Sequence, residues 1–176
     1  GKSLVGIEST VLDLTGEMPV ILRPGVVTKL MLEDVLGCTI LDGTEKVDIK
    51  DIPKAPGMKY KHYSPNGNIT IVDGTKENVI DYINTEVRKL EQINKSVAVI
   101  CASNYSDQIN CKHISIIGDL DNQNEIASNL FISLREMDQL NIKHIFIHSF
   151  STNDIGAAVM NRLLKAANNN VIILKY

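Results

Sequence analysis

Between Ile69 and Leu174, short apolar runs alternate with amphipathic stretches, and no other feature restricts the fold of this chain as tightly. Ile69 to Val72, Val97 to Cys101, Ile114 to Ile117, Ile145 to His148 and Val171 to Leu174 are too short for buried helices and read as strands. Thr75 caps a predicted helix through about Gln92, with Val79, Ile80, Ile83, Val87 and Leu90 on one stripe. Asn122 to Leu140 carries Ile126, Leu130, Leu134, Met137 and Leu140 at helical spacing, and Asp154 to Ala167 reads as a further helix. An irregular, asparagine-rich crossing separates the second strand from the third. Strands in this alternation pair in parallel, because parallel neighbours need long crossovers, and the crossover helices cover the faces of the sheet. The expected class is α/β, with a small doubly wound, Rossmann-like parallel sheet of about five strands filling a C-terminal domain over residues 68–176.

The first 45 residues read differently. Gly6 to Leu14 alternates weakly as a strand, Val20 to Arg23 is a second, and Arg23-Pro24-Gly25 closes it with turn chemistry. Thr28 caps a short helix through Val35 that Gly37 ends, and Thr39 to Leu41 is another strand. So few elements cannot bury an independent core without disulfides or metal. Residues 1–45 therefore read as an incomplete α+β piece, the end of a domain whose larger N-terminal portion is expected upstream of Gly1. Cys38, Cys101 and Cys111 are an odd number with no CxxC pair, which suggests neither a disulfide framework nor a thiolate metal site. Cys101 closes an apolar run and reads as a buried hydrophobe, the alternative being a reactive thiol.

Residues 46–67 link the two parts. Ala55-Pro56-Gly57-Met58-Lys59-Tyr60-Lys61-His62-Tyr63-Ser64-Pro65 is polar, and its two prolines forbid a single helix or a central strand. Its tyrosines and histidine supply stacking faces and hydrogen-bonding tips, and its lysines supply charge for an anion. Two readings stay open: a tether whose tyrosines pack on a neighbour, or a flap over a small-molecule site. The 44% hydrophobic and 22% charged content is that of a folded globular chain, and a net charge of −3 argues against a broad basic field for nucleic acid. Any RNA contact must then be local. No apolar run is long enough to cross a bilayer and the first residues lack a signal-peptide layout, so no membrane association is expected and the cytoplasm is the expected compartment.

Four motifs in order, Gly6-Ile7-Glu8-Ser9-Thr10-Val11-Leu12-Asp13, Ile21-Leu22-Arg23-Pro24-Gly25, the Ala55–Pro65 segment and the helix from Gly156 to Ala167, resemble the Sua5 family. The first two look like the end of its YrdC-like domain, the third like its linker, and the last like the closing motif of its C-terminal domain. The resemblance implies an L-threonylcarbamoyladenylate synthase, a nucleotidyltransferase that joins L-threonine, bicarbonate and ATP into threonylcarbamoyl-AMP with release of pyrophosphate. That product passes to tRNA threonylcarbamoyl-transfer proteins for the threonylcarbamoyladenosine modification. ATP is then a substrate and Mg2+ its expected companion. The resemblance also places most of the active site upstream of Gly1, so the 176 residues alone are expected to be inactive. The alternative is a non-catalytic α/β ligand-binding or regulatory module that gates a partner domain.

Chemistry of this kind asks for positioning and charge neutralisation. Arg23, at a strand end fixed by Pro24-Gly25, can fork onto phosphate oxygens, and the resemblance makes it an ATP contact; an ion pair with Glu8 or Asp13 is the other reading. Ser9 is implied as an L-threonine contact, against a locally satisfied strand-edge hydroxyl. Thr10 should face the other way. In the linker, Tyr63 is the expected nucleotide contact, with His62 and Lys59 as its neighbours, and closure there would shield a hydrolysable adenylate from water. No catalytic residue and no metal ligand is nominated. His144 and His148 lie on a strand without carboxylates at zinc spacing. His148 to Gly156 sits where doubly wound folds bind ligands, though Asn153 and Asp154 read more simply as helix caps.

Overall fold

The computed structural model describes residues 9–43 and 65–175. Gly6 to Glu8 of the expected first strand, and linker residues Lys59, His62 and Tyr63 with them, lie outside the described residues. Two sheets result: β1 (Val11–Asp13), β2 (Val20–Arg23) and β3 (Leu41–Asp42) form a small mixed one, in the order β1-β2-β3. Between β2 and β3 runs α1 (Lys29–Leu36), with Thr28 Oγ1 accepting from the Met31 N–H and Gly37 in the left-handed region at φ 66°. The expected third strand, Thr39 to Leu41, is shifted to Leu41–Asp42. Ile40 is fully buried and gives its N–H to Glu33 Oε1, which pre-empts pairing until Leu41 meets Val20.

The second sheet contains β4 (Asn68–Asp73), β5 (Val97–Cys101), β6 (Ile114–Ile116), β7 (His144–His148) and β8 (Val171–Ile173). All neighbours are parallel, in the order β6-β5-β7-β4-β8. Its crossovers are α2 (Lys76–Gln92), the single-turn α3 (Ser103–Ser106), α4 (Gln123–Gln139) and α5 (Ile155–Ala166). The turn of α3 lies in the crossing that the sequence left irregular. Strand parity divides the core cleanly. Ile69, Ile71, Ala98, Ile100, Ile145 and Ile147 meet α4 and α5 on one face, while Val72, Val97, Val99, Cys101 and Phe146 meet α2 on the other. Connections from β4 to β5 and on to β6 move toward one edge, and those from β6 to β7 and β8 move back. Crossovers of one hand that travel in opposite directions must lay their helices on opposite faces, which is the doubly wound arrangement.

β5 and β7 lie side by side, yet the chain leaves them toward opposite edges. The crevice outside their carboxyl ends is therefore a topological switch point. At the other end of the sheet, the entry into β4 is pinned. Pro65 and Gly67 are buried, and the Asn66 N–H donates to Asp138 Oδ1 at 2.7 Å. A Cβ on Gly67 would stand 2.5 Å from the Ile142 carbonyl oxygen, so only glycine lets the strand enter so close to that turn. No described helix is long and apolar enough to cross a membrane.

Candidate functional site

Strand pairing brings the two nominated residues of the first sheet together. Val11 opposes Arg23 across β1 and β2, and the register shifts between Val11 and Leu12, a bulge at the point where β1 begins. From there the Arg23 guanidinium reaches past Val11 to Ser9. Its Nε donates to the Ser9 carbonyl at 3.0 Å and its Nη2 to Ser9 Oγ at 3.1 Å. A planar fork closing on backbone and hydroxyl of one residue fixes that hydroxyl in space. Thr10 turns elsewhere, as expected, although it lies just ahead of β1: its Oγ1 donates to the Val27 carbonyl at 2.7 Å and ties the entry of β1 to the segment beyond Pro24-Gly25.

The C-terminal sheet contributes to the same neighbourhood through α5. Lys165 has its ammonium pKa drawn down by partial burial, then by the charges of Arg162 and Arg23, so cations of both sheets lie within electrostatic range of one another. Sequence alone leaves Arg162 between a solvated face and a face toward the other domain. At 3% exposure it is not solvated, and burial lowers its pKa. Asn161, one residue earlier, is half-buried, with its Oδ1 enclosed and without a hydrogen-bond partner among the described residues.

A groove of about 460 Å3 runs between the two sheets. Pro24, Gly25, Thr28 and Lys29 line one side, and Thr152, Asn153 and Asp154 from the β7–α5 connector line the other. That connector departs from the capping expectation. Asp154 takes the cap position at φ 48° but makes no side-chain cap bond. The Gly156 N–H is instead shared between the Asn153 carbonyl at 2.9 Å and Gln123 Oε1 of α4 at 3.0 Å. Ser151 Oγ accepts from the Asn153 N–H at 3.2 Å. A helix start held by a side chain from another helix leaves no mark in the local sequence, so neither Gln123 nor the facing pair Thr28 and Asn153 was discernible as part of a junction.

The remaining nominations resolve into structure. His148 is buried at the end of β7, its Nε2 accepting from the Ala102 N–H at 3.0 Å and its Nδ1–H donating to the Ser149 carbonyl at 2.7 Å. Burial lowers its pKa to about 4, the hydrogen bond to Ser149 opposing weakly. His144 is half-buried at the other end of the strand, and no cluster of three metal-ligating side chains occurs among the described residues. Cys101 is buried, and desolvation followed by the neighbouring Cys111 pushes its thiol up to about 11, which keeps it protonated and unreactive.

Comparison with known proteins adds the following. Residues 27–168 match the family described as threonylcarbamoyl-AMP synthase, C-terminal domain. A threonylcarbamoyl-AMP synthase of Pyrococcus abyssi is 36% identical over 98% of this chain and 49% of its own length, and one of Bacillus subtilis is 33% identical over 98% and 48%. A crystal structure of P. abyssi Sua5 complexed with L-threonine superposes with a TM-score of 0.85 at 35% identity, covering 99% of this chain and 50% of that one. The chain spans about half the length of the curated relatives it matches.

Proposed function

The chain belongs to the Sua5 family of threonylcarbamoyl-AMP synthases, and from that premise we propose that the longer protein containing it is an L-threonylcarbamoyladenylate synthase. It condenses L-threonine, bicarbonate and ATP to threonylcarbamoyl-AMP and pyrophosphate for the threonylcarbamoyladenosine modification of tRNA in the cytoplasm. Tight pairing of Ser9 with Arg23 beside the Pro24-Gly25 turn is the observation that carries this reading. A threonine amine that has taken up carbon dioxide as a carbamate presents an oxygen nucleophile; attack on the α-phosphate forms the mixed anhydride and expels pyrophosphate. The reaction needs the charge of ATP offset and the nucleophile held in line. Arg23 supplies fixed positive charge, with Lys165 of α5 within electrostatic range of it. Ser9, locked by that guanidinium, offers an oriented hydroxyl to threonine, the amino acid that the P. abyssi relative binds in its crystal structure.

The linker residues Lys59, His62 and Tyr63 close over the nucleotide in this scheme, excluding water from an anhydride that hydrolyses easily. Mg2+ accompanies ATP, but the described residues gather no ligand set for it. The product leaves for tRNA threonylcarbamoyl-transfer proteins, with any tRNA contact local to the basic groups.

Residues 1–45 then act as the end of the catalytic domain and residues 68–176 as the domain that backs the linker. The 176-residue chain by itself makes no threonylcarbamoyl-AMP, behaving instead as a non-catalytic module. Pyrophosphate release dependent on both threonine and bicarbonate is the measurement. It should be absent for this chain and present for the longer protein, and release by the chain alone would end this division of labour. In the longer protein, Arg23→Ala should lower kcat/KM for ATP by about 10- to 100-fold, as loss of a charge-assisted fork does. Unchanged kinetics would remove Arg23 from the site.

A further inference from the structure

The switch-point crevice of the C-terminal sheet is walled in a way that no part of the proposed reaction uses. Outside the carboxyl ends of β4, β5 and β7 lies a cavity of about 350 Å3, within the size range of small-molecule sites. Leu120, Ile126, Phe150 and Val159 form its apolar lining. Its polar lining is Ser149, Ser151 and Gln123, with the edge of Tyr105, and none of the lining residues is charged.

Each of the three polar side chains is held on one side by the protein, which fixes what it offers on the other. Ser149 donates its proton to Asp73 Oδ1 at 2.5 Å, so its oxygen remains an acceptor. Ser151 Oγ accepts from the Asn153 N–H, which leaves its hydroxyl proton as a donor. Gln123 Oε1 accepts from the Gly156 N–H, so its NH2 group is the end that can donate outward. Tyr105 is equally constrained. Its ring stacks on His148 at 4.0 Å and 9°, and Lys76 Nζ stands 5.7 Å from its centroid, so the ring presents its edge and not its faces. Gly156 keeps the wall thin: a Cβ there would fall 2.0 Å from the Ser151 carbonyl oxygen.

We propose that this crevice is a second small-molecule site, taking an uncharged flat heteroaromatic ligand of nucleoside size, with its ring on the apolar floor and its edge on Ser149, Ser151 and Gln123. One acceptor and two donors complement a ring that carries an N–H group between ring-nitrogen acceptors, the pattern of an aminopurine. The lining itself carries no cation and the Lys76 ammonium is engaged over the Tyr105 ring, which selects against a phosphorylated ligand.

The test titrates the isotopically labelled 176-residue chain with adenosine and follows backbone and side-chain amides by NMR. Saturable shifts are expected at Ser149, Ser151, Gly156 and the Gln123 side chain, with adenosine 5′-monophosphate binding more weakly than adenosine. Ser151→Trp, at an exposed rim position, should fill the mouth and weaken binding by about tenfold or more, and Gln123→Glu, which keeps the acceptor for Gly156 but removes the donors, should do likewise. Unchanged melting temperatures of both variants establish that the fold is intact. Shifts centred on Arg23 and Gly25, no saturable shift at the crevice, or undiminished binding by both folded variants would each overturn the site. The readout needs no threonine, bicarbonate or turnover, so its failure leaves the proposed synthase reading standing, and the reverse holds.

Discussion

Both ring nitrogens of His148 are committed in its neutral form: Nδ1 carries the proton given to the Ser149 carbonyl, and Nε2 accepts from Ala102. Protonation of Nε2 would break the second bond and place a charge in the core. Its folded pKa of about 4 lies below the ordinary 6.5, so the unfolded chain binds more protons at intermediate pH. The stabilisation is therefore complete above about pH 6.5, is lost progressively as pH falls through 4, and amounts to on the order of 3 kcal/mol. Urea unfolding at pH 7 and pH 4 should show that loss, and His148→Gln should flatten it; an equal pH dependence in the variant would place the acid sensitivity elsewhere. At this scale the closeness of Ser9 and Arg23 was legible, because a Pro-Gly turn and the strand beside it place both at one sheet end; what they bind was not, nor was the burial of Arg162. A charged residue on an amphipathic helix looks solvated until the packing around it is known.

Element starts were readable where the side chain that caps them is local. Thr28 and Thr75 accept from the N–H three residues on, as their positions predict, and Asn122, the first residue of the helix expected through Leu140, does the same. The start of α5 was not readable, since its first turn leans on Gln123 of α4 and on a glycine packed against the preceding connector. Gly156→Ala should therefore cost about 2–4 kcal/mol, well beyond the helix-propensity gain of alanine. The loss would be read as a lowered urea midpoint at unchanged slope; stability at or above wild type would show that the connector can retreat from Gly156. Strand ends moved by one or two residues for similar reasons. Ile117 was expected within β6 but lies just beyond it, where its N–H still donates to the Cys101 carbonyl while its side chain joins the core.

The alternation of strand and helix made the five-stranded sheet legible at the scale of the whole molecule, but not its strand order, which depends on which crossovers skip a neighbour. The smaller sheet shows a different limit. α1 buries none of its residues, and Leu30 and Val35 are 63% and 82% exposed. A helix with a bare apolar side is marginal by itself. In a longer protein that covers this side, α1 amides should exchange at least about tenfold more slowly than in the 176-residue chain; equal exchange would mean that the face stays open. The strand order carries a temporal consequence. Among the described residues β4 is bonded in the sheet to β7 and β8, and both strands begin at or after residue 144. As the chain leaves the ribosome, β5 and β6 can meet early, while β4 must wait, unpaired, until β7 has been made. The sheet thus closes only when β7 arrives between two strands made long before it.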